Sequence, residues 1–141
     1  MKLSTKGRYG VMACYDLACH HGDSPVPLKA IASRQGISPG YLEQLIGHLR
    51  RAGIVRSVRG PQGGYVLARS PDEITVGDII RVLEGPIAPV ECVSQDPGDF
   101  RHCGRTDGCV TRPVWEKLRD SMVRVLDSIT LKDLLDEGGR E

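Results

Sequence analysis

Three cysteines stand in one Gly- and Asp-containing stretch with the spacing Cys92-x10-Cys103-x5-Cys109. Three thiolates on one loop suit an iron–sulfur cluster, which is held by cysteine and accepts another ligand type at a remaining site. The gaps are looser than the CxxC pairs of structural zinc sites, which disfavours zinc. The plain alternative is an unmetallated thiol loop. Cys14 and Cys19 lie in a helical segment near the start and read as small buried hydrophobes. The count of five is odd, so the cysteines cannot all pair in disulfides within one chain. In a reducing cytosol, clustered thiols bind metal or sense redox state. His20 and His21 read as helix-end residues near the negative pole of the dipole rather than as ligands. No Ser/His/Asp order, HExxH, phosphate loop or paired-carboxylate motif is present, which argues against an enzyme.

A second set of residues suits nucleic acid. The net charge of +1 conceals an asymmetry: residues 1–70 carry ten Lys/Arg against three Asp/Glu, and residues 71–141 carry nine against fifteen. A basic half of this kind points to nucleic-acid or membrane contact. No apolar run approaches the roughly 20 residues of a membrane helix. The start, MKLSTKGRYG, lacks a secretory apolar stretch, so the expected location is cytoplasmic. Ser38, Gly40, Tyr41, Glu43 and Gln44 cluster at the start of one helical segment, where a recognition helix needs short polar groups for base edges. Glu accepts from cytosine N4 and Gln bonds adenine bidentately. Arg59 is placed for a minor-groove or phosphate contact, and Gly60, Gly63 and Gly64 permit close backbone approach. Lys2, Lys6 and Arg8, with the start of the first helix, can clamp the phosphate backbone. The alternative is that Glu43 and Gln44 form a merely solvated face.

The elements that position these residues follow from periodicity. Val11, Met12, Tyr15, Ala18 and Cys19 recur at threes and fours, predicting a helix over 5–21 with that face inward. Residues 28–35 predict a second helix closed by Gly36. Ser38 is a good N-cap with Pro39 at the first helical position, and Leu42, Leu45, Ile46 and Leu49 form a stripe over 39–52. Helix, glycine turn, helix is the helix-turn-helix pattern. Two short apolar runs, 54–58 and 65–68, flank Arg59-Gly60-Pro61-Gln62-Gly63-Gly64 and predict a β-hairpin, or wing. A helix over 76–84 follows. Residues 86–110 show no helical or strand period, and a stretch that long in a compact domain is functional or disordered. Trp115, Leu118, Met122, Val125 and Ile129 then space a long helix over 112–129 whose apolar stripe suits a partner helix. The fold expected is mainly α with a small β-hairpin, a winged helix-turn-helix plus a long C-terminal dimerisation helix. Its parts are a DNA-binding domain 1–84, a cysteine loop 85–111, the dimerisation helix 112–129, and a short helix and tail 130–141.

LSTKGRYG at 3–10, ISPGYLEQL at 37–45, SVRGPQGGYVL at 57–67 and VGDIIRVLEGPIAPVE at 76–91 resemble the Rrf2 family of winged-helix transcription regulators, across about residues 1–136. The resemblance implies a homodimer on a double-stranded DNA operator, with Ser38, Tyr41, Glu43, Gln44, Arg59 and the wing glycines approaching DNA. It also implies a C-terminal helix exchanged against the partner. The iron–sulfur regulators of the family hold a [2Fe-2S] cluster with three loop cysteines and a histidine three residues beyond the third. Cys92, Cys103 and Cys109 match those cysteines, with a longer first gap. At the histidine position stands Arg112, which stays protonated and is no ligand. The cysteine-metabolism regulators of the family lack the loop cysteines and partner with cysteine synthase.

The expectation is therefore a DNA-binding transcription regulator, a repressor, of iron–sulfur biogenesis or cysteine metabolism. It senses iron–sulfur or redox status through a loop-bound [2Fe-2S] cluster. The fourth ligand is open: His102, Glu91, Asp107, a group from the partner's first helix, or an exogenous species. Two rivals stand beside this. One is a cluster-free regulator of cysteine metabolism acting through cysteine synthase. The other is a metal or cluster carrier whose winged helix makes protein contacts.

Overall fold

Gly36 and Ser38 explain why one short helix ends and the next begins within a few residues. Gly36 takes φ +66°, the left-handed conformation that ends α2 (Leu28–Gln35). Ser38 then caps α3 (Pro39–Arg51), its hydroxyl accepting from the Tyr41 N–H at 3.4 Å, with Pro39 opening the helix. Leu42, Leu45, Ile46 and Leu49 are all buried, as their spacing predicts. The computed structural model describes residues 3–94 and 110–138, except for the side chain of Glu91.

Around this pair the chain runs α1 (Thr5–Cys19), α2, α3, β1 (Val55–Val58), β2 (Gly64–Leu67), α4 (Val76–Glu84), α5 (Arg112–Ser128) and α6 (Leu131–Gly138). Single turns of 3-10 helix lie at Pro71–Glu73 and Glu91–Val93. The strands are antiparallel, Val55 opposite Leu67 and Val58 opposite Gly64. Val26, just before α2, bonds both ways with Tyr65 at 2.9 and 3.0 Å and extends the wing on its other edge. Leu17, Ile31, Leu45, Ile54, Ile74 and Ile79 meet in one core. Each such side chain contributes about 1.5–3 kcal/mol relative to exposure.

The inward face of α1 differs from the expected one. The buried positions are Gly7, Gly10, Ala13, Cys14, Leu17 and Ala18, with Asp16, whereas Val11, Met12 and Tyr15 are only half-buried and Cys19 is exposed. Small residues set this face because α4 lies close against it. A Cβ at Gly10 would collide with Leu83, and one at Gly7 would sit 2.9 Å from the Glu84 side chain. Cys19 therefore falls outside the packed arc, and only Cys14 is the buried hydrophobe expected of both.

After α5 the chain returns to the same core. Val76 N–H donates to Ile129 at 2.8 Å and Leu131 N–H to Ile74 at 2.9 Å, and Leu131 is fully buried. Thr75 with Asp78, and Thr130 with Asp133, form reciprocal caps on α4 and α6. The short C-terminal helix is thus packed into the winged-helix body.

Candidate nucleic-acid interface and cysteine turn

The start of α3 carries the polar groups singled out for base contact. Ser38, Gly40, Glu43 and Gln44 are exposed, and a Cβ at Gly40 would meet nothing within 4 Å. Tyr41 differs: it is half-buried and meets Tyr9 of α1 edge to face, ring centroids 6.1 Å apart. Such a pair orients the first turn of α3 against α1. At the other end of α3, Arg50 and Arg51 are exposed, and Arg51 lies 3.0 Å from His48 Nδ1. Arg56 on β1 is exposed as well. These three arginines were not singled out from the sequence, although they belong to the same basic half. What marks them is their position at the C-terminus of one element and on the open face of another.

Arg59 and Gly60 are exposed at the wing turn, where Gly60 takes φ +118° and accepts from the Gly63 N–H at 2.9 Å. Gly63 and Gly64 have an internal reason to be glycine. A Cβ at Gly63 would strike the Val58 carbonyl, and one at Gly64 the Val26 carbonyl. Their small size therefore serves the turn and the Val26–Tyr65 bridge, whatever approaches from outside.

At the start of α1, Arg8 is exposed and Lys6 is half-buried, while Lys2 lies outside the described residues. The backbone N–H and hydroxyl of Ser4 both donate to the Glu84 carboxylate. A resident carboxylate thus occupies the helix start that was expected to clamp phosphate.

Below the interface, Asp16 ties α1 to α2. Its carboxylate accepts from Arg34 Nε at 2.9 Å, Arg34 Nη2 at 2.7 Å and Gln35 Nε2 at 3.0 Å. Burial pushes this carboxyl up, but the Arg34 fork, the Gln35 amide and the charges of Arg34 and His20 outweigh burial and hold it below the usual carboxylate range. The sign follows directly. The ion-pair contribution is fully present above the unfolded Asp value of about 3.9 and is lost as pH falls through the lower folded value. Asp16→Ala is expected to lower stability by about 3 kcal/mol at neutral pH, the low end for a broken buried pair because Arg34 keeps access to water. Urea unfolding at pH 7 and pH 3 checks this: the gap between wild type and variant should narrow in acid.

Of the cysteines, Cys14 is fully buried, and burial pushes its thiol up to about 12, which makes it unreactive. Cys92 is a free, half-buried thiol in the turn Glu91–Val93. That turn packs on α5, where Arg119 Nη1 donates to the Val93 carbonyl at 2.9 Å. Cys103, Cys109, His102 and Asp107 lie outside the described residues. Among the described residues, no group of three His, Cys, Asp or Glu side chains could hold a metal ion. Arg112 Nε pairs with Glu116 at 2.9 Å, in keeping with a cation that does not ligate.

α5 has an apolar arc that its own chain does not bury. Trp115, Met122 and Ile129 are half-buried, while Val114, Leu118 and Val125 are 54%, 43% and 56% exposed. Arg81 of α4 grips Asp127 with two bonds of 2.7 Å and sets the angle of α5 to the body. No helix of the described residues is long and apolar enough to cross a membrane.

A helix-turn-helix followed by a two-stranded wing, on a core closed by the short C-terminal helix α6 with the long α5 alongside, defines a winged-helix DNA-binding protein. The profile of the Rrf2 family, described as an iron-dependent transcriptional regulator, matches residues 3–137. The chain is 50% identical to the HTH-type transcriptional regulator CymR of Bacillus subtilis, over 95% of this chain and 89% of that one. It is 43% identical to the HTH-type transcriptional regulator IscR of Pectobacterium carotovorum, over 96% of this chain and 79% of that one. The solved structure of T. potens IscR superposes with a TM-score of 0.79 at 54% identity, covering 98% of this chain and 88% of that one. The chain belongs to the Rrf2 family of transcription regulators.

Proposed function

We propose that this protein is a homodimeric repressor that reads an operator through α3 and the wing and senses iron–sulfur status at Cys92, Cys103 and Cys109. The observation that carries the DNA reading is the start of α3, capped by Ser38 and held to the body by Tyr41 and Leu42, while Glu43 and Gln44 stay exposed. Glu43 and Gln44 supply base contacts; Ser38, Tyr41, Lys6, Arg8 and Arg59 position the backbone, beside Gly60, Gly63 and Gly64. The dimer forms through α5. Leu3, Met122, Val125 and Leu126 line an apolar groove of about 380 Å³ there, which a second copy of α5 would fill. A two-fold dimer matches a palindromic operator.

The donor set fits a [2Fe-2S] group in part. Three thiolates are available in sequence, Cys92 is unpaired by disulfide, and Arg112 stands where a fourth ligand would be expected. When bound, such a group supplies a redox-labile centre, more so with a non-thiolate ligand. His102, Glu91, Asp107 or an exogenous species remains to complete it. Anaerobic reconstitution of wild type and each Cys→Ala variant tests this. Wild type should carry iron, sulfide and visible absorption, and loss of any one of the three thiols should reduce all of them. Equal retention in the triple variant would end the cluster reading.

A second reading has its own support. The identity to CymR and the arginine at position 112 favour a cluster-free regulator of cysteine metabolism that acts through a protein partner such as cysteine synthase. Wild type without iron and sulfide, yet bound by cysteine synthase, selects it. Either regulator works in the cytoplasm.

A further inference from the structure

We infer that Arg119 of α5 is a positioning residue for Cys92, holding the turn that carries this thiol against the dimerisation helix; the inference rests on the cluster reading above. The guanidinium is largely buried and all three of its nitrogens are engaged. Nη1 donates to the Val93 carbonyl at 2.9 Å, while Nε and Nη2 each lie 3.0 Å from Asp120 Oδ1. Asp120 thus neutralises the cation and aims its remaining corner at the backbone beside Cys92. A charge-assisted bond to a carbonyl is stronger than a neutral one, and this one is only 19% exposed on the arginine side.

The consequence for Cys92 is geometric. Val93 is itself buried, and its held carbonyl fixes the Val93–Ser94 peptide, so the Cα of Val93, about 3.8 Å from that of Cys92, is anchored on both counts. The thiol thus projects from a turn held one residue further along the chain. Eight residues further along the same helix, Asp127 is gripped by Arg81, about 12 Å along the axis. The two clamps make α5 a lever with one end at the thiol and the other on α4. α4 in turn packs on both α1 and α3, so the helix that holds the Cys92 turn is joined to the DNA-reading half through packed elements.

Hydrogen exchange on the metal-free, full-length dimer tests the clamp without any cluster. In Arg119→Gln, the amide of Val93, which closes the same turn onto the Val90 carbonyl, should exchange about tenfold faster as the turn loosens, the size expected for one lost charge-assisted hydrogen bond. Arg124→Gln, on the exposed side of the same helix, should leave it unchanged, and sedimentation should show an intact dimer in both. Unchanged exchange in Arg119→Gln overturns the inference whatever the cluster does. The second measurement is the rate of visible-absorbance loss from reconstituted protein under air, expected to rise severalfold in Arg119→Gln. Faster exchange with an unaltered loss rate overturns the positioning role. Faster exchange in a protein whose wild type takes up no iron and sulfide overturns the cluster reading, and with it the assignment of Arg119 to cluster positioning, while leaving the clamp itself established.

Discussion

Operator affinity is expected to fall about 10³–10⁵-fold as salt rises from about 50 to 200 mM, the loss for six to ten neutralised phosphates. Arg8, Arg50, Arg51, Arg56 and Arg59 are exposed on each protomer, so two protomers present enough cations for that count. The net charge of +1 would suggest a far weaker dependence, but the acidic residues are concentrated in the other half of the chain. Arg59→Ala should weaken every sequence alike and make the log–log slope shallower by about 2 per dimer, because each protomer loses one phosphate contact. Glu43→Ala should leave the slope unchanged and reduce discrimination by about 1–3 kcal/mol at the base it reads. Fluorescence anisotropy across salt and across single-base operator variants separates the two effects. Equal binding to every sequence by both wild type and Glu43→Ala would remove base readout from Glu43.

The elements legible in sequence are those whose own caps and periods define them. α2, α3 and α4 were readable because Gly36, Ser38-Pro39 and Gly85-Pro86 mark ends that local chemistry dictates, and their apolar stripes are made of Leu and Ile. The face of α1 was not readable, because its contact residues include Gly7 and Gly10. Glycine carries no hydropathy signal, so Val11, Met12, Tyr15 and Cys19 drew the face toward themselves. Which side is inward is decided by Ile80, Leu83 and Glu84, some seventy residues away.

Long-range polar contacts were invisible for the same reason. Asp16 reads as a solvent residue in its helix, and only the folded chain brings Arg34 and Gln35 to it. The Val26–Tyr65 bridge is a single residue with no strand period of its own. Arg119 looks like one more surface charge on a polar helix until Val93 is placed beneath it. For the candidate site, residue types such as Glu43, Gln44 and Cys92 were legible because chemistry selects the type. Their supports were not, because support is a property of packing.

Replacing Leu118 and Val125 together by Glu is expected to turn the dimer into a folded monomer. Both side chains are about half-exposed or more in the single chain, so little of the body's own packing depends on them. The Arg81–Asp127 pair and the Val76 N–H bond to the Ile129 carbonyl would still tie α5 to the body. In a dimer the same two leucine and valine side chains would be desolvated, and four buried carboxylates per interface would cost far more than an apolar contact contributes. Monomers must then find each half-site separately. Loss of the second, tethered contact should lower operator affinity by about 10²–10⁴, with half-site affinity nearly unchanged. Sedimentation, thermal unfolding and anisotropy on full and half operators make the test. A variant that remains dimeric, or one that unfolds rather than dissociates, would place Leu118 and Val125 outside the interface, and α5 would have to be read as core.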